Sequence, residues 1–537
     1  MQNNNNRRSH PTTGGFAVAA LAASVAMFSS AGVQAGERIN FDNGATLDWS
    51  LTTSYGIGMR LSGQSSELLG NVNGDDGNRN FDKHALTTNR VGALAEMILR
   101  KDNYGAVLRA STFYDHVYHR ENDHNSPGTL NKFGAPDEFT SDTERYAGGR
   151  SRFLDAYVFA GFSLPNQQYL DVKAGRHMVA WGEGLFYPGV NGVQSPVDVV
   201  KSSQPGVETK EVLLPIGQVS ASWDVNPDFG LAAYYQYEWL PNELVPVGGF
   251  TSTSDVTGPG REMLILGPGM NAAYAGTNDP RDDGQYGFRA MYRPSLGLEL
   301  GLFHVRYHDK NPGGVSLGGF GLSPISPFLP TTYEIEYFED IKLTGVSFST
   351  SLGDTQIGGE WSYRSGAPIM VETSPGQTSL TKGSGQQMQL SFIRSMGAMP
   401  WASSTTLVGE VVHVRADDAE SVNGSDDFVY ETDTAKQTKH ATAYTLQTVL
   451  SYPGVFSGWD LSVPINWAHV VDGMTPLKGT ISAGEGDKRL SLGATFKRLG
   501  NLELNTTYTA YMGNASVKYN RQLADRDNIT FSAKYSF

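Results

Sequence analysis

Five histidines, His177, His304, His308, His413 and His469, are the side chains suited to metal ligation or general-base work, and each stands alone. The nearest two of them, in "HVRYH", share one face of an extended chain about 13 Å apart, too wide for a single ion. No HExxH, Walker loop or dinucleotide fingerprint accompanies them. A lipase embedded in a membrane needs a Ser and a His facing lipid on adjacent strands, and spacing alone does not reveal such a pair. The chain is read as non-enzymatic, with no cofactor and no metal site.

Charge at alternate positions suggests a different chemistry. Arg109, Asp155, Arg176, Glu238, Arg289, Glu360, Arg364, Glu410 and Arg489 fall on the polar side of extended stretches. Opposed charges around a narrow pore set a transverse field that selects by charge and dipole. The plainer reading is that they pair with one another across the wall. In "RFLDAYVFAGF" the rings of Phe153, Tyr157 and Phe159 share the side of Asp155, an aromatic ladder for a planar or aliphatic guest. A register slipped by one residue turns those rings to lipid instead. The acids of "TTYEIEYFEDIK", Glu334, Glu336, Glu339 and Asp340, join "GDDGN" and "ADDAE" in an acidic surface. Hard carboxylates there suit calcium or magnesium bridging lipopolysaccharide, and the alternative is a solvated charge run.

The elements that position these residues are strands. In "DNITFSAKYSF" the residues Ile529, Phe531, Ala533, Tyr535 and Phe537 oppose Asn528, Thr530, Ser532, Lys534 and Ser536, one oily side and one wet. The same alternation recurs in "TLDWSLTTSYGIGMRL", "TQIGGEWSYR", "WDLSVPINW", "KRLSLGATFK" and "LELNTTYTAYM". Strand starts are expected near Thr46, Arg90, Tyr104, Arg152, Tyr169, Gly217, Leu231, Gln285 and Leu298. They continue near Tyr333, Thr355, Gln386, Ser404, Ala441, Trp459, Lys488, Leu502 and Asn528. Short turns alternate with long polar loops at 62–84, 120–149, 182–215, 241–283 and 310–332, the pattern of an outer-membrane barrel. The fold class is therefore all-β, a transmembrane antiparallel barrel of about 18 strands (16–18), with short periplasmic turns. Its last strand closes on its first, and Phe531, Tyr535 and Phe537 carry the barrel-assembly signal. Alternation breaks at 174–178, 302–303 and 345–346, where bulges or bends are expected.

Composition agrees. Gly 62, Tyr 25, Phe 25 and Trp 8 mark a turn-rich aromatic chain, and only 39% hydrophobic residues exclude a bundle of membrane helices. Arg7 and Arg8 precede "FAVAALAASVAMF" and small residues at Val33 and Ala35, a secretory leader cleaved after Ala35. Residues 36–537 then form one domain. Removing the leader takes away two positive charges and no negative one from a chain already at −14, a poor partner for nucleic acid. Zero cysteine leaves no disulfide and no thiolate metal site.

The stretch from Leu170 to Trp239 carries "GR", "WGE", "GVN", "SPVDV", "PG", "KEVLLP" and "YYQYEW". With the opening "ERINFDNGATLDWSLTTSYGIGMRL" and the aromatic end, it resembles the Gram-negative envelope family called domain-of-unknown-function 1302 (DUF1302) over nearly the whole mature chain. The resemblance implies an outer-membrane barrel, often encoded near envelope transporters or catabolic functions for lipid-like or aromatic compounds. After Trp181 and Glu183, which complete the expected solute path, residues 182–215 are too apolar for a free loop and are expected to fold inward as a constriction. The reading is a passive conduit for hydrophobic or amphipathic organic solutes. Its alternatives are a non-conducting scaffold docking periplasmic lipid-handling partners, and a surface receptor or adhesin. Expected partners are outer-membrane lipid and lipopolysaccharide, the barrel-assembly machinery, and a periplasmic or inner-membrane transport partner.

Overall fold

Alternating apolar and polar residues build eighteen long strands, because an extended chain with lipid on one side must keep every second side chain apolar. The computed structural model describes residues 36, 38–322, 328–374, 377–432, 435–477 and 479–537. The expected leader, residues 1–35, lies outside the described residues. The strands are β1 (Thr46–Arg60), β2 (Leu86–Lys101), β3 (Tyr104–Asp115), β4 (Gly149–Leu164), β5 (Gln168–His177) and β6 (Ile216–Asn226). Next come β7 (Phe229–Gln236), β8 (Gln285–Ser295), β9 (Leu298–Tyr307), β10 (Ile341–Leu352), β11 (Thr355–Ser374) and β12 (Gln377–Ser395). The series ends with β13 (Ser404–Ala419), β14 (His440–Phe456), β15 (Trp459–Gly473), β16 (Lys488–Arg498), β17 (Leu502–Tyr511) and β18 (Asn528–Ser536).

Each strand pairs antiparallel with its chain neighbours, and β18 pairs with β1 from Thr52↔Ser536 to Arg60↔Asn528. That last pairing closes a transmembrane barrel and leaves no edge whose peptide groups would face lipid unpaired. Connections after the even-numbered strands up to β16 are short, and most of those after odd-numbered strands are long, so one rim carries turns and the other a cap. Within the cap, Met263–Gly267, Met270–Asn278, Gly314–Gly318 and Thr332–Glu336 form a separate four-stranded sheet. Phe81, Tyr118, Ala147, Val200 and Phe250, from four different connections, cluster beside it.

The expected starts at Thr46, Tyr104, Gln285, Leu298, Thr355, Ser404, Trp459, Lys488, Leu502 and Asn528 coincide with the observed ones. The start at Tyr333 does not. Tyr333 belongs to Thr332–Glu336 in the cap sheet, and the tenth barrel strand begins at Ile341. "TTYEIE" alternates as cleanly as any barrel strand, but its Tyr333 and Ile335 pack on Ala272 of the cap rather than on lipid.

Solvent exposure fixes the facing of each strand. In β10 Lys342, Thr344, Val346 and Phe348 are exposed, while Ile341, Leu343, Gly345 and Ser347 are buried and point into the barrel. Pairing runs unbroken through Leu302–Phe303, Gly345–Val346 and the end of β5, so the expected breaks are absent there. One bulge decides the facing of a strand: Arg109 of β3 faces both Leu154 and Asp155 of β4, between the pairs Leu108↔Ala156 and Ala110↔Phe153. Elsewhere glycines make room for rings: a Cβ on Gly359 would lie 2.3 Å from Phe348, and one on Gly409 would lie 2.4 Å from Phe392.

Facing has a measurable consequence at the closing strand. Phe531 is 42% exposed on the outside, while its neighbour Thr530 lines the interior. Phe531→Arg is expected to lower stability by about 2–4 kcal/mol, the cost of a cation near the bilayer midplane. Thr530→Arg is expected to leave it nearly unchanged, as read by urea unfolding in lipid vesicles.

Candidate functional site

The connection between β5 and β6, residues 178–215, is the element around which the interior is arranged. It begins apolar, and its first part joins a core of inward-facing wall residues. Val179, Trp181, Val190 and Val193 pack with Tyr234, Phe303, Val305, Ile341, Leu343 and Val412. Trp181 and Tyr234 lie 5.0 Å apart, and a Cβ on Gly345 would come within 3.2 Å of Val190. Inward positions of β9, β10 and β13 at this level therefore carry Val, Ile, Leu and Phe where an open lumen would carry polar residues.

A segment that is neither helix nor strand brings unpaired peptide groups with it, and buried ones must be answered. Two wall carboxylates answer them. Glu360 accepts from the backbone N–H of Glu183 at 3.0 Å and of Val190 at 2.7 Å. Glu410 accepts from Leu185 at 3.1 Å, Phe186 at 2.5 Å and Tyr187 at 2.9 Å. Gln387 donates to the Pro188 carbonyl at 3.0 Å, and Gln236 donates to that of Gln194 at 2.7 Å. Glu360 and Glu410 are only 5% and 3% exposed, so these expected pore charges hold the inward segment and do not line free space.

The second part returns along the opposite wall and is held by ion pairs. Asp198 meets Arg150 at 2.9 Å and Arg152 at 2.5 Å, and Glu243 from a cap loop completes the knot. Burial opposes ionisation of Glu243, but the two guanidiniums outweigh it and hold its carboxyl down to about 2. Lys201 sits 3.0 Å from Glu211 and 2.9 Å from the Ser111 hydroxyl, and burial pushes its ammonium down to about 8. Lys210 pairs with Glu96, and Glu208 reaches Lys534 at 3.6 Å.

Between this returning arm and the wall lies a cavity of about 520 Å³. Its wall side is Arg489, Ser491, Glu503, Asn505, Thr507, Thr509 and Tyr511, then Asn528, Thr530, Ser532 and Lys534, every second residue of β16, β17 and β18. Its inner side is the arm from Ser202 to Val207, and Tyr118, Phe250 and Thr251 cover its cap end. From Glu503 to Tyr511 the lining runs roughly 27 Å at the rise of a strand. Lys534 and Glu503 pair at 3.2 Å near the turn rim, and Arg489 pairs with Asp487 at 3.1 Å near the cap. The stretch between is hydroxyl and amide.

Of the residues expected on the solute path, Arg489 alone lines this cavity among the described residues. Trp181, Glu183, Glu360 and Glu410 belong to the inward segment and its clasp, and Arg364 stands by, donating to Gln387 at 3.0 Å. Arg109 spans Glu96 and Asp155 at 3.0 and 2.6 Å, and Arg289 meets Glu299 at 2.9 Å, both pairs facing inward. Three placements are corrected. Phe153 is 42% exposed on the outside, because the bulge at Leu154 and Asp155 reverses its side while Asp155, Tyr157 and Phe159 stay inward. Arg176 shares the outer side with Ala156, its partner across β4, and pairs with Glu238 at the cap rim. Glu238 lies beyond the end of β7 and turns outward to reach that guanidinium. Of the barrel-assembly set, Phe531, Tyr535 and Phe537 are all exposed on the outer side or at the rim. The acids of "GDDGN", read as part of a wet surface, are buried. His177 and Ser220 share a 2.7 Å hydrogen bond, with the other ring nitrogen on the Gly175 carbonyl, but both face inward and not lipid.

Sequence reading missed Ser491, Asn505, Thr507, Thr509, Thr530 and Ser532. The signal was present in the alternation of β17 and β18, whose wet face is small and neutral from Asn505 to Thr509 and from Asn528 to Ser532.

A family model for proteins of unknown function, DUF1302, matches residues 16–537. The chain belongs to the DUF1302 family. No curated protein matches it. Among solved structures it is similar to Acinetobacter baumannii OccAB1, at 10% identity over 94% of this chain and 99% of that one, with a TM-score of 0.45. Pseudomonas aeruginosa OccK9 (OpdG) matches at 10% identity over 93% of this chain and 100% of that one, with a TM-score of 0.43.

The clasp predicts a local loosening. Glu410→Ala leaves three backbone donors without their acceptor, and is expected to lower stability by about 1–3 kcal/mol. It should also open Leu185, Phe186 and Tyr187 to chymotrypsin, with Glu410→Gln intermediate, as followed by limited proteolysis of the folded barrel.

Proposed function

We propose that this DUF1302 protein is a passive outer-membrane channel for small hydrogen-bonding or amphipathic solutes, which travel off-centre between β16–β18 and the arm at 202–207. The cavity along that wall carries the reading. A passage lined by hydroxyls and amides replaces part of a solute's hydration shell without binding it tightly, the balance that conduction needs. Charge is confined to the two ends, so weak ion selectivity and passage of neutral polar solutes are expected. A purely hydrophobic cargo has less support, since Phe153 leaves the aromatic ladder and the apolar part of the interior is packed solid.

The scaffold alternative has one observation in its favour: the apolar core of the inward segment fills much of the interior. Single-channel recording in planar bilayers separates the two. Steady small openings are expected from the wild type, blocked by Thr507→Trp and enlarged by deleting residues 190–210. Silence from all three, each shown folded by heat-modifiable migration, would leave the scaffold.

A further inference from the structure

The acids of "GDDGN" do something other than face water. Asp75 and Asp76 lie in the connection between β1 and β2, at the start of the short turn Asp76–Arg79, and both are buried, at 0% and 1% exposure. Asp255 comes from the connection between β7 and β8 and is buried at 0%. One carboxylate oxygen from each of the three lies within 4.8 Å of the others.

Three like charges do not gather away from water without compensation. The compensation visible among their neighbours is partial. Arg79 pairs with Asp75 through Oδ2, and His124 Nε2 lies 3.1 Å from Asp76 Oδ1. The Asp76 backbone N–H donates to Asp255 Oδ2 at 3.1 Å. That leaves Asp75 Oδ1, Asp76 Oδ2 and Asp255 Oδ1, one oxygen on each side chain, buried and accepting no hydrogen bond. These unanswered oxygens are an observation separate from the clustering, and they call for a positive ligand. Burial, with the Asp76 carboxylate next, pushes the Asp255 carboxyl well above the usual range.

The backbone is built to bring the two connections together. The Asp255 N–H donates to the Asn73 carbonyl at 2.9 Å, and Asn73 Oδ1 accepts from the Ile265 N–H at 2.9 Å. A Cβ on Gly77 would lie 2.5 Å from the Gly249 carbonyl oxygen, and one on Gly74 would lie 2.8 Å from that of Thr253. Only glycine permits this approach, so the glycines flanking the two aspartates serve the junction.

We propose that Asp75, Asp76 and Asp255 bind one divalent cation, calcium by preference, which staples the β1–β2 connection to the β7–β8 connection in the cap. Three carboxylates with one directly paired arginine leave an excess of negative charge on the unanswered oxygens, which a divalent ion offsets. An all-oxygen site closed to water suits calcium, which sheds its hydration shell readily, over magnesium, which keeps it. The site lies in the same cap as Phe250, which covers the end of the cavity, so the ion would firm that cover.

The test uses the mature chain refolded in detergent free of lipopolysaccharide, so that lipid-bound ions do not count. After dialysis against chelator it is titrated with calcium chloride by calorimetry, with Asp255→Asn and the β13 variant Asp418→Asn alongside. Heat-modifiable migration shows which samples are folded. One calcium per wild-type chain is expected, at least tenfold tighter than magnesium, unchanged in Asp418→Asn and at least tenfold weaker in Asp255→Asn. Calcium should also slow thermolysin cleavage of the wild-type cap. No stoichiometric binding to folded wild type would overturn the proposal, as would equal binding by folded Asp255→Asn. If Asp255→Asn in chelator is more protease-resistant than wild type while calcium changes nothing, the carboxylates share protons instead of a metal, and the proposal fails.

Discussion

An irregular chain can lie inside a barrel only if the wall supplies partners for its peptide groups. Residues 178–215 meet that condition through a few long side chains aimed inward, with Glu360 and Glu410 taking five backbone N–H groups between them. Gln387 and Gln236 supply the matching donors to carbonyls. Buried carboxylates are costly unless hydrogen-bonded, and here the bonds that satisfy the acids also satisfy the loop. The two needs cancel, which is why acids deep in the wall are structural and the free space lies elsewhere.

From that clasp follows the two-sided character of the interior. Where the segment is held, the wall behind it is dry, so Phe303, Val305, Ile341 and Leu343 face inward and are fully buried. Opposite, β16–β18 keep water on one face and lipid on the other. A strand flanked by lipid and by a dry core is apolar on both sides, like a strand buried in a soluble protein. The bilayer therefore dictates the outer face of every strand, while the inward segment decides what each inner face must be.

This explains what the sequence made legible. Strand existence and number came through because the lipid face imposes period two everywhere, and the cleanest alternation, in β17 and β18, marks the strands with water behind them. The apparent breaks at 302–303 and 345–346 are not bulges but inward apolar residues beneath the segment, a tertiary demand that local pattern cannot express. The true bulge at Leu154 and Asp155 leaves no mark in residue type, and it alone turned Phe153 to lipid. Arg176 and Glu238 looked like lumen charges because a rim position and a lumen position both favour polar residues. The burial of Asp75 and Asp76 depends on a loop nearly two hundred residues away, so "GDDGN" read by itself is a wet acidic run. Asking only which inward residues were charged hid the cavity along β16–β18, whose wall between its charged ends is small and neutral from Ser491 and Asn505 to Thr530 and Ser532.

The two halves of the inward segment are held with unequal strength, and this decides where the interior yields. The first half is fixed by a continuous apolar core and by hydrogen bonds at residues almost wholly buried, interactions that salt and water do not weaken. The arm beside the cavity is tied near its far end by Lys210 to Glu96 and by Glu208 to Lys534, pairs with side chains about a fifth to a third exposed. Partly solvated ion pairs of this kind contribute about 0–1 kcal/mol and are screened by salt. Thermal or solute-driven displacement therefore falls on residues 202–210 first, the side that borders free space, while residues 179–194 stay in place. An interior held this way yields from its polar side and keeps its apolar core intact.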